Sequence, residues 1–87
     1  MGRYRLIFKK SVARNLRPLP KKDVVRILKC IEALAEEPLP PGCEKLSGQA
    51  RYRLSQGVYR IIYEIQDDSL MVVVMKIGHG REVYRAG

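Results

Sequence analysis

The chain has 87 residues, 46% of them apolar, enough to bury one modest core but not two, so residues 1–87 are expected to form a single domain. Its 17 Lys and Arg against 9 Asp and Glu leave a formal charge of +8, which makes polyanions the default partners. No run approaches the roughly 20 apolar residues of a bilayer span, and the opening MGRYRLIFKKS lacks the apolar stretch and cleavage site of a signal peptide, so a cytoplasmic location with no membrane partner is expected.

Near the start, Tyr4, Leu6 and Phe8 alternate with Arg3, Arg5 and Ile7, close to the period of two of a strand with one buried face. Ser11 stands where a helix N-cap would, ahead of VARNLR, and Pro18 and Pro20 end that first short helix. From Lys21 to Glu37 the apolar positions Val24, Ile27, Leu28, Ile31, Leu34 and Ala35 recur every three or four residues, the stripe of an amphipathic helix. Pro38, Pro40 and Pro41 stop it.

After the loop GCEKLSGQA come strand-like runs at Tyr52 to Ser55, Val58 to Gln66 and Leu70 to Ile77, with turns at Gln56–Gly57 and at Asp67, Asp68 and Ser69. The segment MVVVM is apolar throughout, as for a central strand covered on both faces. The order strand, helix, helix, three strands predicts an α+β domain: a small antiparallel β-sheet with two N-terminal helices packed on one side.

Cys30 falls in a helical pattern and Cys43 in a loop, with neither CxxC spacing nor a companion His pair. Two idle thiols are expected, and no zinc. The cations are more informative. Arg51 and Arg53 lie two apart and so share one face of their strand, and a hairpin partner brings Arg60 close. Three guanidiniums on one face form either a phosphate site, for which the planar arginine fork is well suited, or a set of solvated arginines paired with Glu64 or Glu82. The closing GHGREVYRAG adds His79, Arg81, Tyr84 and Arg85. His79 is a candidate proton carrier, and Tyr84 can stack on a base or bond a ribose or phosphate oxygen.

Taken together, SVARNLRPLP, KLSG, YRLSQGVYRIIYEI and VVVMKIGHGREVYR resemble the RelE family of bacterial and archaeal toxins over almost the whole chain. The resemblance implies a RelE-like fold and a metal-independent endoribonuclease, without cofactors, that cuts mRNA in the ribosomal A site and is held inactive by a cognate antitoxin. It also implies that operator DNA is met only through the antitoxin complex. In the family the ribose 2′-hydroxyl attacks the adjacent phosphate, giving a 2′,3′-cyclic phosphate. Carried over, Arg60 matches the arginine of the family's YR motif and would clamp the phosphate. Arg51 and Arg53 stand where relatives carry lysines or arginines, Arg85 adds a further phosphate contact, and Tyr84 matches the terminal tyrosine that orients or deprotonates the nucleophile.

Two features depart from the family. Arginine stays protonated at any working pH, so the base would be Tyr84 or His79. Gly80 occupies a position where many relatives place a cation that protonates the leaving oxygen, which moves that duty to Arg81 or His79. Two alternatives stay open. One is a ParE-like inhibitor of DNA gyrase on the same fold, and the other is an inactive RNA-binding or co-repressor member.

Overall fold

The computed structural model describes residues 3–46 and 50–80. Strand β1 (Arg5–Phe8) leads into helices α1 (Lys10–Leu16) and α2 (Lys21–Leu34), followed by strands β2 (Glu44–Lys45), β3 (Arg51–Gln56), β4 (Tyr59–Gln66) and β5 (Met71–His79), with a short 3₁₀ turn at Asp67–Ser69. The strands form a five-stranded sheet in the order β1-β5-β4-β3-β2. Its last four strands are the antiparallel meander read from the sequence, extended by one short strand at the edge.

Two features of the sheet were not visible in the residue pattern. β1 joins as an edge strand parallel to β5, with Leu6 opposite Val72 and Phe8 opposite Val74, so the sheet is mixed. A period of two is the same for parallel and antiparallel pairing, so alternation alone could not distinguish them. β2 lies inside the segment expected to be a loop and pairs Glu44 with Arg53 and Lys45 with Tyr52. Two exposed charged residues carry no apolar alternation to betray a strand.

One face of this sheet carries the core. Leu54, Ile61, Tyr63, Ile65, Val72, Val74 and Ile77 are buried against Ile27, Ile31 and Leu34 of α2 and Val12 of α1. The stripe expected of α2 is therefore the stripe that packs, although the helix ends at Leu34, short of Glu37. Pro38 disfavours the helical region for the residue before it, and the Ala35 carbonyl at the helix end accepts the Tyr4 N–H at 2.7 Å. Tyr63 shows no exposed surface; its hydroxyl donates to the Pro38 carbonyl at 2.7 Å and its ring stacks on Tyr52 with centroids 5.8 Å apart.

β5 is central, as expected, but its burial alternates: Val72 and Val74 are buried while Met71, Val73 and Met75 are half-buried. The pairing slips between Ile62 and Tyr63, which face Lys76 and Val74, so Met75 is the extra residue of a β-bulge. Beyond the bulge the facing of the strand is reversed, which sends Ile77 into the core and Lys76 to the opposite face.

α1 secures this irregular stretch. β1 ends at Phe8, so beyond Val74 the outer edge of β5 has no strand partner. Ser11 does not cap the helix, which starts at Lys10 without a side-chain cap; its hydroxyl instead donates to the Met75 carbonyl at 2.8 Å. Asn15, one helical turn on, accepts the Ile77 N–H at 3.0 Å. Side chains four apart on a helix lie one above the other, so the pair spans two alternate backbone groups of the strand.

Candidate functional site

The sheet face turned away from the helices holds the arginines. Arg51 pairs with Glu64, Arg53 with Ile62 and Ser55 with Arg60 across the β3–β4 hairpin, and directly opposed residues point to the same side. Arg51, Arg53 and Arg60 therefore share one face. Across β4 the neighbours of Arg60 and Ile62 are Gly78 and Lys76, which adds a lysine that the residue pattern did not reveal. Strict alternation from Val72 and Val74 would have sent Lys76 into the core, and only the bulge at Met75 brings it to this side.

These cations differ in how they are satisfied. Arg53 Nη2 donates to Glu44 Oε2, an ion pair supplied by the two-residue strand β2. Arg51 Nε lies 3.6 Å from Glu64 Oε2, beyond hydrogen-bonding range, and this buried nitrogen has no hydrogen-bond partner among the described residues. Arg60 has no carboxylate partner among the described residues. Its Nη1 donates to the backbone carbonyls of Gly57 at 3.2 Å and Tyr59 at 3.0 Å. Gly80 lies against its guanidinium, and the Gly80 N–H donates to the Val58 carbonyl at 3.0 Å.

His79 is exposed at the end of β5 and is paired with Tyr59, which points to the helix side, so the register sets His79 on the face opposite Arg60. Arg81, Tyr84 and Arg85, and Glu82 as a candidate salt-bridge partner, lie outside the described residues. The structure therefore brings together the three strand arginines and Lys76, and it separates His79 from them.

Among the described residues, the phenols with displaced acidities lie elsewhere. The Tyr59 hydroxyl donates to Asp23 Oδ2 at 3.0 Å, and this bond to a carboxylate raises its pKa. Tyr4 is raised in the same way by Asp67, 2.8 Å away. Burial pushes Tyr63 up furthest. Desolvation likewise raises the Cys30 thiol, which donates to Gln56 Oε1 at 3.0 Å; both cysteines are free.

Charge is also segregated along the strand direction. Lys9, Lys10, Arg14, Arg17, Lys21, Lys22, Arg26 and Lys29 are all exposed, and the one acid in that span, Asp23, is held by Tyr59. The Tyr59–Asp23 bond sets the start of α2 beside the β3–β4 turn, at the Arg60 end, and Cys30, further along the helix, bonds Gln56 at the same turn. Acids gather at the far end, where a shallow cleft of 320 Å³ is lined by Glu36, Glu37 and Asp67 with Tyr4 and Tyr52, although Arg3, Arg5 and Arg51 stand at that end too.

With this geometry established, similarity to known proteins narrows the reading. Residues 3–84 match the family described as the ParE toxin of the type II toxin-antitoxin system parDE. The chain is 29% identical over 86 residues to Toxin RelG of Mycobacterium tuberculosis, covering 94% of this chain and 97% of that one. Among solved structures it resembles the archaeal RelE–RelB complex of Pyrococcus horikoshii OT3, with a TM-score of 0.82 and 31% identity over 91% of this chain and 98% of the other. It also resembles a variant of the E. coli toxin RelE in the free state, with a TM-score of 0.79 and 26% identity over 98% and 93%.

Proposed function

Because the chain belongs to the RelE/ParE family of type II toxin–antitoxin toxins, we propose that it is an endoribonuclease that cuts mRNA in the ribosomal A site. The ribose 2′-hydroxyl attacks the adjacent phosphate, the 5′-oxygen leaves, and the products are a 2′,3′-cyclic phosphate and a 5′-hydroxyl. The nucleophile is part of the substrate, so the protein's work is to position it, move its proton and stabilise charge on the phosphate oxygens. No metal enters this scheme.

The observation that carries the reading is Arg60. It is anchored by Nη1 and free of carboxylates among the described residues, beside Arg51, Arg53 and Lys76 on the sheet face turned away from the helices. A guanidinium held in place before the reaction stabilises the charge that develops in the transition state at little reorganisation cost. Arg51 and Arg53 hold the flanking phosphates, exchanging Glu64 and Glu44 for the RNA backbone. Tyr84 serves as the base that orients and deprotonates the 2′-hydroxyl, Arg81 protonates the leaving oxygen, since the register turns His79 to the opposite face, and Arg85 adds a phosphate contact. In this scheme the cationic helix surface orients the toxin on ribosomal RNA in the cytoplasm, and the ribosome holds the mRNA in a reactive geometry.

The RelE relatives of known structure include complexes with RelB antitoxins, and a cognate antitoxin that covers the cationic face is the expected partner here. Operator DNA would be met only through that complex. The test is primer extension on mRNA in programmed ribosomes. Wild-type protein is expected to leave A-site cuts with cyclic phosphate ends, and Arg60→Ala to cut at least about a hundredfold more slowly. Uncut mRNA on ribosomes that bind the protein would overturn the proposal.

A second reading is favoured by the matched family itself, which is described as the ParE toxin: a protein that inhibits DNA gyrase and cuts no RNA. A supercoiling assay separates the two, since only a ParE-like protein would stop gyrase while leaving ribosome-bound mRNA intact.

A further inference from the structure

The β3–β4 turn is built around one arginine. Gly57 has φ +60° and is the first central residue of the two-residue turn between Gln56 and Tyr59, whereas Val58 has no positive φ. That is the pattern of a type II′ turn, in which glycine takes the first central place. Each carbonyl of the turn is used. Gly57 and Tyr59 accept Nη1 of Arg60, and Val58 accepts the Gly80 N–H. Nη1 carries two hydrogens, and both are engaged.

Gly80 lies against the rest of the guanidinium. A Cβ built on Gly80 would lie 3.5 Å from Cζ, 3.5 Å from Nη2 and 3.6 Å from Nε. Such near-equal distances place Gly80 over the flat face of the group and not along its edge. Nε and Nη2 have no partner among the described residues, and they form one of the two edges by which arginine donates parallel hydrogen bonds to two phosphate oxygens.

We infer that Gly57 is a positioning residue for this site: its backward-turned carbonyl holds Nη1 so that Arg60 presents the Nε/Nη2 edge as a two-pronged fork for a single phosphodiester. The inference rests on the reading of Arg60 as the phosphate clamp. A fork already fixed by the turn loses little side-chain freedom when RNA arrives. Alanine at Gly57 is disfavoured at positive φ and would turn the carbonyl away, whereas asparagine follows glycine among the residues that occupy the positive-φ positions of primed turns.

Two measurements on the full chain test it, with thermal melts confirming that each variant is folded. The first is nitrogen NMR of the arginine side chains, with the Arg60 signals assigned by their loss in Arg60→Lys. Separate Nη1 and Nη2 signals are expected in the wild type and in Gly57→Asn, and merged signals in Gly57→Ala. The second is single-turnover cleavage at saturating toxin, where Gly57→Ala should be about tenfold slower and Gly57→Asn should recover most of the rate. Merged signals in the wild type would overturn the inference whether or not any variant folds, and so would a folded Gly57→Ala with separate signals and full rate. If Arg60→Ala itself cleaves at the wild-type rate while the signals remain separate, the fork exists but is idle, and the phosphate reading fails first.

Discussion

At the scale of single residues, the arginine face could be read from the sequence because a period of two is short and rigid: once Arg51 and Arg53 are on a strand they must share a side, and the Ser55–Arg60 pairing adds the third. What anchors Arg60 could not be read, because backbone carbonyls leave no trace in residue types. On the proposed ribonuclease reading Glu64 and Glu44 would compete with RNA for two of these arginines, so Glu64→Gln should tighten binding to RNA severalfold in a low-salt titration. Folding stability should change by less than about 1 kcal/mol, since the pair is partly exposed. Gly80 shows no positive φ and leaves ordinary contact room for a Cβ. Gly80→Ala should therefore hold or raise stability, by up to about 1 kcal/mol through loss of unfolded-state freedom, as read in a urea melt. Tyr63 sets a limit at high pH. Its folded pKa is raised above the ordinary value of 10.0, so its contribution to stability is complete below that value and is lost as pH rises through the folded pKa. Tyr63→Phe should unfold with a shallower alkaline decline, while losing about 1 kcal/mol at neutral pH with the bond to Pro38.

At the scale of elements, α2 was legible because a stripe repeated over several turns has one consistent meaning, and Ile27, Ile31 and Leu34 are buried on it. β2 and the parallel pairing of β1 were not, since both depend on which strand lies alongside and not on the strand's own residues. α1 is the instructive case. Ser11 signals a helix start, yet tertiary demand diverts it to the strand edge that β1 leaves open, with Asn15 beside it. Asn15→Leu would leave the Ile77 N–H without its acceptor in a part-buried position, at a cost of about 1–3 kcal/mol. In hydrogen exchange the Ile77 amide should lose protection first, while amides of the β3–β4 ladder keep theirs. Equal loss across the sheet would mean that α1 stabilises the fold in general and not this edge in particular.

At the scale of the whole molecule, the +8 charge was visible from composition, but its segregation was not, because only the fold sets the start of α2 beside the Arg60 turn and its end beside Asp67. A molecule polarised along its strands is turned by the field of a polyanion so that its cationic end leads. On the proposed ribonuclease reading, the consequence is a division of labour that kinetics can resolve. Lys21, Lys22 and Arg26 are exposed and make no described contact with Arg60, so replacing them with Gln should slow association with ribosomes and flatten its dependence on salt, because fewer counterions are released. The cutting rate once the toxin is bound should stay as it was, since the Arg60 fork is fixed by the β3–β4 turn. Arg60→Ala should do the reverse, lowering the bound-state rate and leaving the association step nearly intact. If the helix variant instead lowers the bound-state rate as much as Arg60→Ala does, then the cationic helix surface reaches the scissile RNA itself, and steering and cleavage are not separate functions of the two surfaces.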